Sequence, residues 1–249
     1  MRRLSNECYA FLRRMIAPDL KYSQLLFEEV LERSVSETTV WLDVGCGHQL
    51  LPSWRIEYER ALVERTRCIV GIDPYHPSIV RHSSITKRVA GSASALPFEN
   101  ATFDLVTANM VVEHLDDPQR QFSEIVRVLK PGGRFVFHTV NRAGYFARMR
   151  AIVPDRLAKP LAGILDGRSS ADVFGVHYLA NRESEIYELS ERAGARIESI
   201  RFISSDAVFA VVPPLAAVEL AWIRLLMRPS FKRLRTNIIV ALRKNDVDR

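Results

Sequence analysis

The chain has 249 residues, 47% of them hydrophobic and 26% charged, and a formal net charge of +6. This composition excludes global disorder and collagen-like sequence, and the length is enough to bury a core without disulfides or a structural metal. The three cysteines, Cys8, Cys46 and Cys68, include no CxxC pair, which excludes a disulfide framework and fits a reducing, cytoplasmic compartment.

The N-terminus begins Met-Arg-Arg without a long apolar core or a small-residue cleavage site, so no secretory signal is expected. Residues 4–34 read as helical: Leu4, Phe11, Leu12, Leu25, Leu26, Val30 and Leu31 recur at roughly helical spacing, broken at Pro18. Residues 39–44 form a short apolar run ending at a glycine turn, the pattern of a buried strand. A helix is predicted over 52–67, a second buried strand over 68–73, a short helix over 77–82 and a third strand over 86–90. The fourth strand is predicted over 103–109. An amphipathic helix over 118–129 opens on a proline and is stopped by Lys130-Pro131-Gly132-Gly133. The fifth strand is predicted over 135–140.

Residues 142–180 then break the rhythm with scattered Pro and Gly, too long for an ordinary connection, and read as an acceptor-side insertion or lid. A helix over 183–193 ends at Gly194, a strand follows over 196–203, and the last strand is predicted over 237–242. Between these lies an apolar-then-basic stretch, 207–235. The alternation predicts an α/β fold with a mostly parallel sheet. A single domain over 1–249 is expected, with N-terminal helices over 1–36 and a core over 37–141.

The segment Val40-Trp41-Leu42-Asp43-Val44-Gly45-Cys46-Gly47 is the most informative. Glycines let a backbone turn tightly and touch a ligand, and in a parallel sheet such a turn sits at the carboxyl edge, where ligands bind. A dinucleotide site would want G-x-G-x-x-G, but His48-Gln49-Leu50 follow here. An acid just before the glycines suits a cationic ligand better than a pyrophosphate. Asp73 ends the next strand, where an acid grips a ribose diol or, with Pro74 behind it, caps a helix.

Together these residues resemble the class I S-adenosylmethionine-dependent methyltransferases, specifically a methyltransferase type 11-like domain. Four further stretches fit that family's pattern. Gly91-Ser92-Ala93-Ser94-Ala95-Leu96-Pro97-Phe98 looks like its G-D-A-x-x-L-P-F segment. Phe103-Asp104-Leu105-Val106 and Val112-Glu113-His114-Leu115 look like F-D-x-V and x-E-H-L. Leu129-Lys130-Pro131-Gly132-Gly133 looks like its L-K-P-G-G turn. The resemblance implies a three-layer α/β/α Rossmann-like sandwich, with a seven-stranded, mostly parallel sheet whose last strand is antiparallel. It makes 37–141 the cofactor-binding core and S-adenosylmethionine the cofactor. Asp43, Gly45, Cys46 and Gly47 would line the methionine moiety, Asp73 would hold the ribose, and Ser92 and Ala93 would border the adenine. Asn109 would face the sulfonium, with Glu113 and His114 at the cleft rim. Gln49 stands where a third glycine is common, and Ser92 where an aspartate is. These two departures carry the rival reading, a non-catalytic cofactor-binding or interaction protein.

The sulfonium makes the methyl group electrophilic, so the protein chiefly aligns the acceptor and excludes water. His114 is the candidate base, or a histidine that orders the loop before Asp116-Asp117-Pro118. His138, His177 and Tyr178 are further acceptor-side candidates. Asn109-Met110-Val111-Val112 departs from the Asn-Pro-Pro-Tyr of enzymes that methylate base or glutamine nitrogens. No HExxH or clustered His/Asp/Glu spacing points to a metal. Methyl transfer to a small-molecule or lipid-linked acceptor is therefore expected, with an RNA or protein methyltransferase as an alternative.

Of the 29 arginines and 6 lysines, the excess over acids is greatest toward the C-terminus, where residues 201–249 hold nine cations and four acids. Leu215, Val218, Ala221, Trp222, Leu225 and Leu226 fall on one helical face within 214–235, followed by Arg228, Lys232, Arg233 and Arg235; Arg2, Arg3, Arg13 and Arg14 add charge at the N-terminus. The stretch reads either as an interfacial helix at the inner membrane surface or as a helix packed on its own sheet or a partner chain. Nucleic-acid binding is disfavoured, because no RNA-binding module or basic–aromatic interleaving is visible.

Overall fold

The structure is a computed structural model that describes residues 2–152 and 175–246. The chain divides into two compact units. Among the described residues, one comprises residues 2–25, 140–152, 175 and 202–238, and the other residues 26–139, 176–201 and 239–246.

The larger unit is built on a seven-stranded sheet whose strands are β1 (Val40–Val44), β2 (Cys68–Asp73), β3 (Lys87–Ala90), β4 (Phe103–Asn109), β5 (Leu129–Val140), β6 (Ala195–Ile203) and β7 (Asn237–Lys244). Their order is β3-β2-β1-β4-β5-β7-β6. β1 runs parallel to β2 and β4, β2 to β3, and β4 to β5, whereas the last strand is antiparallel, as the sequence leads one to expect. The order reverses direction at β1, between β2 and β4. In open α/β sheets that reversal opens a crevice at the strands' carboxyl ends. Asp43 and Asn109 stand there, at or near the ends of β1 and β4.

The strands form where apolar, β-branched and aromatic residues run together, and their side chains make the core. Trp41, Leu42, Val106, Phe135 and Phe137 are fully buried. Helix α5 (Pro118–Val128) turns Phe122 edge-on to Phe135 and Phe137, with ring centroids 5.6 and 5.8 Å away. The helix starts where the Asp117 side chain accepts the Arg120 N–H.

Lys130-Pro131-Gly132-Gly133 does not separate helix from strand. α5 ends at Val128, and β5 begins at once, with Leu129 paired to Phe103 and Arg134 to Leu105. The intervening residues form a bulge, because Pro131 has no N–H to give to a ladder. The helix expected over 52–67 is shorter: a 3-10 turn at Ser53–Arg55 leads into α3 (Ile56–Glu64). The other helices of this unit are α4 (His76–Val80) and α7 (Glu183–Arg192), while α2 (Ser23–Ser34) lies mostly within it.

The smaller unit contains α1 (Arg2–Ile16), α6 (Tyr145–Ile152) and α8 (Pro213–Leu226). Tyr9, Ala17, Leu20, Ala207, Ala216, Leu220 and Ile223 form its core. α8 is apolar on two sides. Ala216, Leu220, Ile223 and Leu226 face inward, whereas Leu215, Val218 and Trp222 face outward. The single face expected from the sequence, which joined Leu226 to Leu215, Val218 and Trp222, is therefore split. No helix among the described residues is long and apolar enough to cross a membrane. Of the insertion expected over 142–180, residues 153–174 lie outside the described residues.

Candidate functional site

β1 delivers its chain to the carboxyl edge of the sheet and turns there. Gly45 has φ +69° and Gly47 φ +53°, in the left-handed region that glycine enters without steric cost. The Gly45 and Cys46 N–H groups both donate to the Ile72 carbonyl, at 2.7 and 3.2 Å, which pins the turn to the end of β2. A Cβ on Gly45 would stand 2.4 Å from Val111 Cγ2, whereas one on Gly47 would meet nothing within 4 Å. Gly45 is thus filled against the loop after β4, and Gly47 borders open space. Cys46 points away from that space: its buried sulfur packs where a Cβ on Gly71 would sit, and burial pushes the thiol well above its ordinary pKa.

Two acids flank the turn. Asp43 is buried on β1 and accepts the hydroxyl of Thr107, its register partner on β4. Burial, opposed by that hydrogen bond, pushes its carboxyl up to about 8; the nearby acids Glu59 and Asp73 push in the same direction. Asp73 accepts the Gly47 N–H at 3.0 Å on one oxygen and the Tyr75 N–H at 2.8 Å on the other. It does not cap α4, whose N-cap is Tyr75. Each carboxylate oxygen offers more than one lone pair, so both can accept further donors. The Gly91 N–H donates to the Asp73 carbonyl at 3.1 Å, which sets Ser92 and Ala93 beside the same edge. Ser92 is exposed, with its hydroxyl accepting the Ser94 N–H, and Ala93 is buried.

The segment after the turn is held by a residue that the sequence does not single out. Glu59 of α3 is fully buried; one oxygen accepts the N–H groups of Leu50 and Leu51 at 3.1 and 2.9 Å, and the other accepts the Ser84 hydroxyl at 2.6 Å. An acid in a helix of mixed pattern gives no signal of such a role. Thr107 is likewise missed, although a lone hydroxyl within an apolar strand run is a usable sign.

On the β4 side, Asn109 donates its amide to the Leu50 carbonyl at 3.3 Å, and its oxygen meets His138 Nδ1 at 3.0 Å. It therefore bridges the glycine-turn loop and β5. His138 is fully buried, and desolvation pushes its imidazole down to about 4, so it stays neutral near pH 7.

Glu113 stands inward, not at a rim. It is only 4% exposed and accepts the Thr139 hydroxyl at 2.8 Å, and Thr139 in turn accepts the Asn181 amide at 2.7 Å. The Glu113 carbonyl accepts the N–H groups of His177 and Tyr178, at 2.8 and 3.2 Å. His177 is exposed and Tyr178 half-buried, and Tyr178 has φ +54°. His114, half-buried, closes a 3-10 turn at Val112–His114. The sequence candidates thus gather into two sets. Asp43, the glycine turn and Asp73 form one, Asn109 with His138 joins it through Leu50, and Glu113 with His177 and Tyr178 forms the other. Among the described residues, no group of three or more His, Cys, Asp or Glu is placed to hold a metal ion.

Residues 42–137 match a family model described as a methyltransferase domain. Over 102 residues the chain is 33% identical to a malonyl-[acyl-carrier protein] O-methyltransferase of Hahella chejuensis, covering 40% of this chain and 36% of that protein. Over 92 residues it is 34% identical to a demethylmenaquinone methyltransferase of Renibacterium salmoninarum, covering 37% of this chain and 38% of that protein. The chain therefore spans well under half the length of these two relatives. In three dimensions it is similar to an S-adenosylmethionine-dependent methyltransferase from Mesorhizobium loti, with a TM-score of 0.56 and 19% identity over 87% of this chain and 96% of that one; at that identity the likeness concerns the fold. The matched stretch runs from β1 into β5 and takes in the glycine turn, both flanking acids and Asn109. Residues 42–137 accordingly match a methyltransferase domain, and the chain shares the fold of the S-adenosylmethionine-dependent methyltransferase it resembles.

Proposed function

We propose that this chain transfers a methyl group from S-adenosylmethionine to a small-molecule or lipid-linked acceptor. The observation that carries the reading is the turn between two acids. Asp43 lies buried on one side and Asp73 on the other, while Gly47 borders open space that a Cβ would enter. These residues fit the cofactor. It carries cationic groups and a diol, and the edge offers carboxylates and unsubstituted backbone rather than the donors a pyrophosphate would need. Asp43 and the Gly45–Gly47 backbone hold the methionine end, with Cys46 contributing main chain only. Asp73 accepts from the ribose hydroxyls, and Ser92 and Ala93 border the adenine. When bound, the cofactor supplies an electrophilic methyl group.

What remains for the chain is alignment, dryness and, for a protonated nucleophile, a base. Asn109 borders the reacting side. His114 is the candidate base, because its ring is half-buried at the loop after β4, whereas buried His138 stays neutral and holds Asn109 in place. The names of the two relatives, one acting on a carrier-bound malonyl group and one on a quinone precursor, support a small or lipid-linked acceptor. A lipid-linked acceptor would bring the protein to the inner membrane surface, with 214–235 as its contact.

Calorimetry with S-adenosylmethionine, followed by labelled methyl transfer into extracted metabolites and lipids, tests the reading. Micromolar binding lost in Asp43→Ala, with label appearing in one extract fraction, is expected. Binding without label in any fraction supports instead the non-catalytic cofactor-binding reading, which Gln49 and Ser92 favour. Label in RNA or protein favours the macromolecular alternative.

A further inference from the structure

We propose that the outward side of α8, together with the cations that follow it, is a docking face for an anionic lipid bilayer. This deepens the membrane part of the reading above and rests on that part, but not on methyl transfer itself. Val211, Leu215, Val218 and Trp222 recur at intervals of four, three and four residues, which puts them on one stripe of the helix and the turn that leads into it. All four are exposed, Val218 by 70% and Leu215 by 49%. The opposite side of α8 is already used, since Ala216, Leu220 and Ile223 fill the core of their unit. A helix apolar on both sides, with one side facing solvent, has a second surface to cover.

Charge selects the occupant. The only acid of α8, Glu219, is buried and internally satisfied, accepting the Tyr145 hydroxyl at 2.8 Å and the Phe209 N–H at 2.9 Å. No acid therefore faces outward on the helix. Residues 224–235 hold five cations, Arg224, Arg228, Lys232, Arg233 and Arg235, and no acid. Arg235 serves the fold: it donates to the Leu226, Met227 and Phe202 carbonyls and so folds the 3-10 turn Pro229–Leu234 back onto the end of α8. Arg228 and Lys232, both exposed, follow the tryptophan end of the stripe in the chain. An apolar stripe, a tryptophan near its end and a patch of cations without acids match the interfacial layer of an anionic bilayer. The exposed Trp222 between the apolar stripe and the cations stands where acyl chains give way to headgroups, an arrangement that a soluble acidic partner does not call for.

The test uses the full chain and vesicles of phosphatidylcholine, alone or mixed with phosphatidylglycerol. Co-sedimentation with the mixed vesicles and not with phosphatidylcholine alone is expected. Val218→Glu, at an exposed position, should abolish pelleting, and Arg228→Gln and Lys232→Gln should each lower the partition coefficient about fivefold. The accompanying blue shift of tryptophan emission should vanish in Trp222→Phe and persist in Trp54→Phe. No pelleting of the unaltered chain, or equal pelleting of Val218→Glu, overturns the proposal. So does a dimer that Val218→Glu dissociates without any vesicle binding, since the face would then join two copies. Calorimetry with S-adenosylmethionine on the same proteins keeps the two readings apart. Cofactor binding lost with docking retained would sink the enzyme reading alone, and the reverse would sink this one alone.

Discussion

The hydroxyl of Thr107 donates to the buried carboxylate of Asp43 and accepts the indole N–H of Trp41 at 2.7 Å. One β4 side chain thus satisfies two residues that point to the same face of β1. Thr107→Val keeps the shape and removes both bonds, leaving a buried N–H and a buried carboxyl short of a partner. A loss of about 1–3 kcal/mol in denaturant-measured stability is expected, together with weaker S-adenosylmethionine binding. Thr107→Ser should recover most of both. Unchanged stability in Thr107→Val would remove the relay from the account.

Asp43 makes binding depend on pH. Its folded-state carboxyl is pushed up to about 8 by burial, whereas an unfolded aspartate titrates near 3.9. Between those values the folded chain holds a proton that the unfolded chain has released, so the contribution of Asp43 to stability falls as pH rises through this window. A cationic ligand prefers the ionised form. Its affinity should therefore rise with pH, by up to about tenfold per unit below the folded pKa, and level off above about 8. Calorimetry from pH 6 to 9 checks this, and Asp43→Asn should flatten the profile. A slope that survives in Asp43→Asn would assign the titration elsewhere.

Much of this was legible because strands and turns are written locally. The runs that become β1, β2 and β4 are apolar and short, and Asp43, the glycines and Asp73 mark their ends. The rest depends on what the fold brings near. Pro131 and the two glycines read as a helix stop, yet the partner strand β4 accommodates them as a bulge. Glu59 lies nine and eight residues beyond Leu50 and Leu51, whose N–H groups it accepts, and no local pattern announces the bond. Glu113 sits in a recognisable motif, but only β5 and the 176–181 segment make its inward orientation visible. For α8 the sequence gives the apolar positions without saying which of them the neighbouring helix α1 already covers.

The two glycines of the turn should respond differently to alanine. Both have positive φ, which costs an L-residue roughly 1–2 kcal/mol. At Gly45 the new methyl also collides with Val111, adding an overpacking cost of about 1–3 kcal/mol. At Gly47 it enters open space. Gly45→Ala should therefore lose the larger share of stability. Gly47→Ala should stay folded while its cofactor affinity falls by more than its stability does. Thermal melts beside calorimetry separate the two, and a Gly47→Ala protein that binds normally would move the cofactor away from this turn.

Glu113 ties three parts of the chain together, with consequences for the acceptor rather than for the cofactor. Its carboxylate accepts from Thr139 at the end of β5, Thr139 accepts from Asn181, and its own carbonyl takes the N–H groups of His177 and Tyr178. The left-handed backbone at Tyr178 is unfavourable for a tyrosine and is held by these bonds. Removing the carboxylate leaves the carbonyl bonds in place but frees Thr139 and Asn181 to reorient. Glu113→Ala should lower stability by about 2 kcal/mol, the scale of a buried hydrogen bond to a charged group. With an acceptor in hand it should raise the acceptor KM more than it lowers kcat, while the S-adenosylmethionine Kd stays within twofold. Glu113→Gln keeps an acceptor oxygen for Thr139 and should restore the KM. Faster amide hydrogen exchange at His177 and Tyr178 in Glu113→Ala, but not in Glu113→Gln, would locate the effect in the segment Glu113 holds. A parallel loss of cofactor affinity would mean instead that the network supports the glycine-turn side of the site.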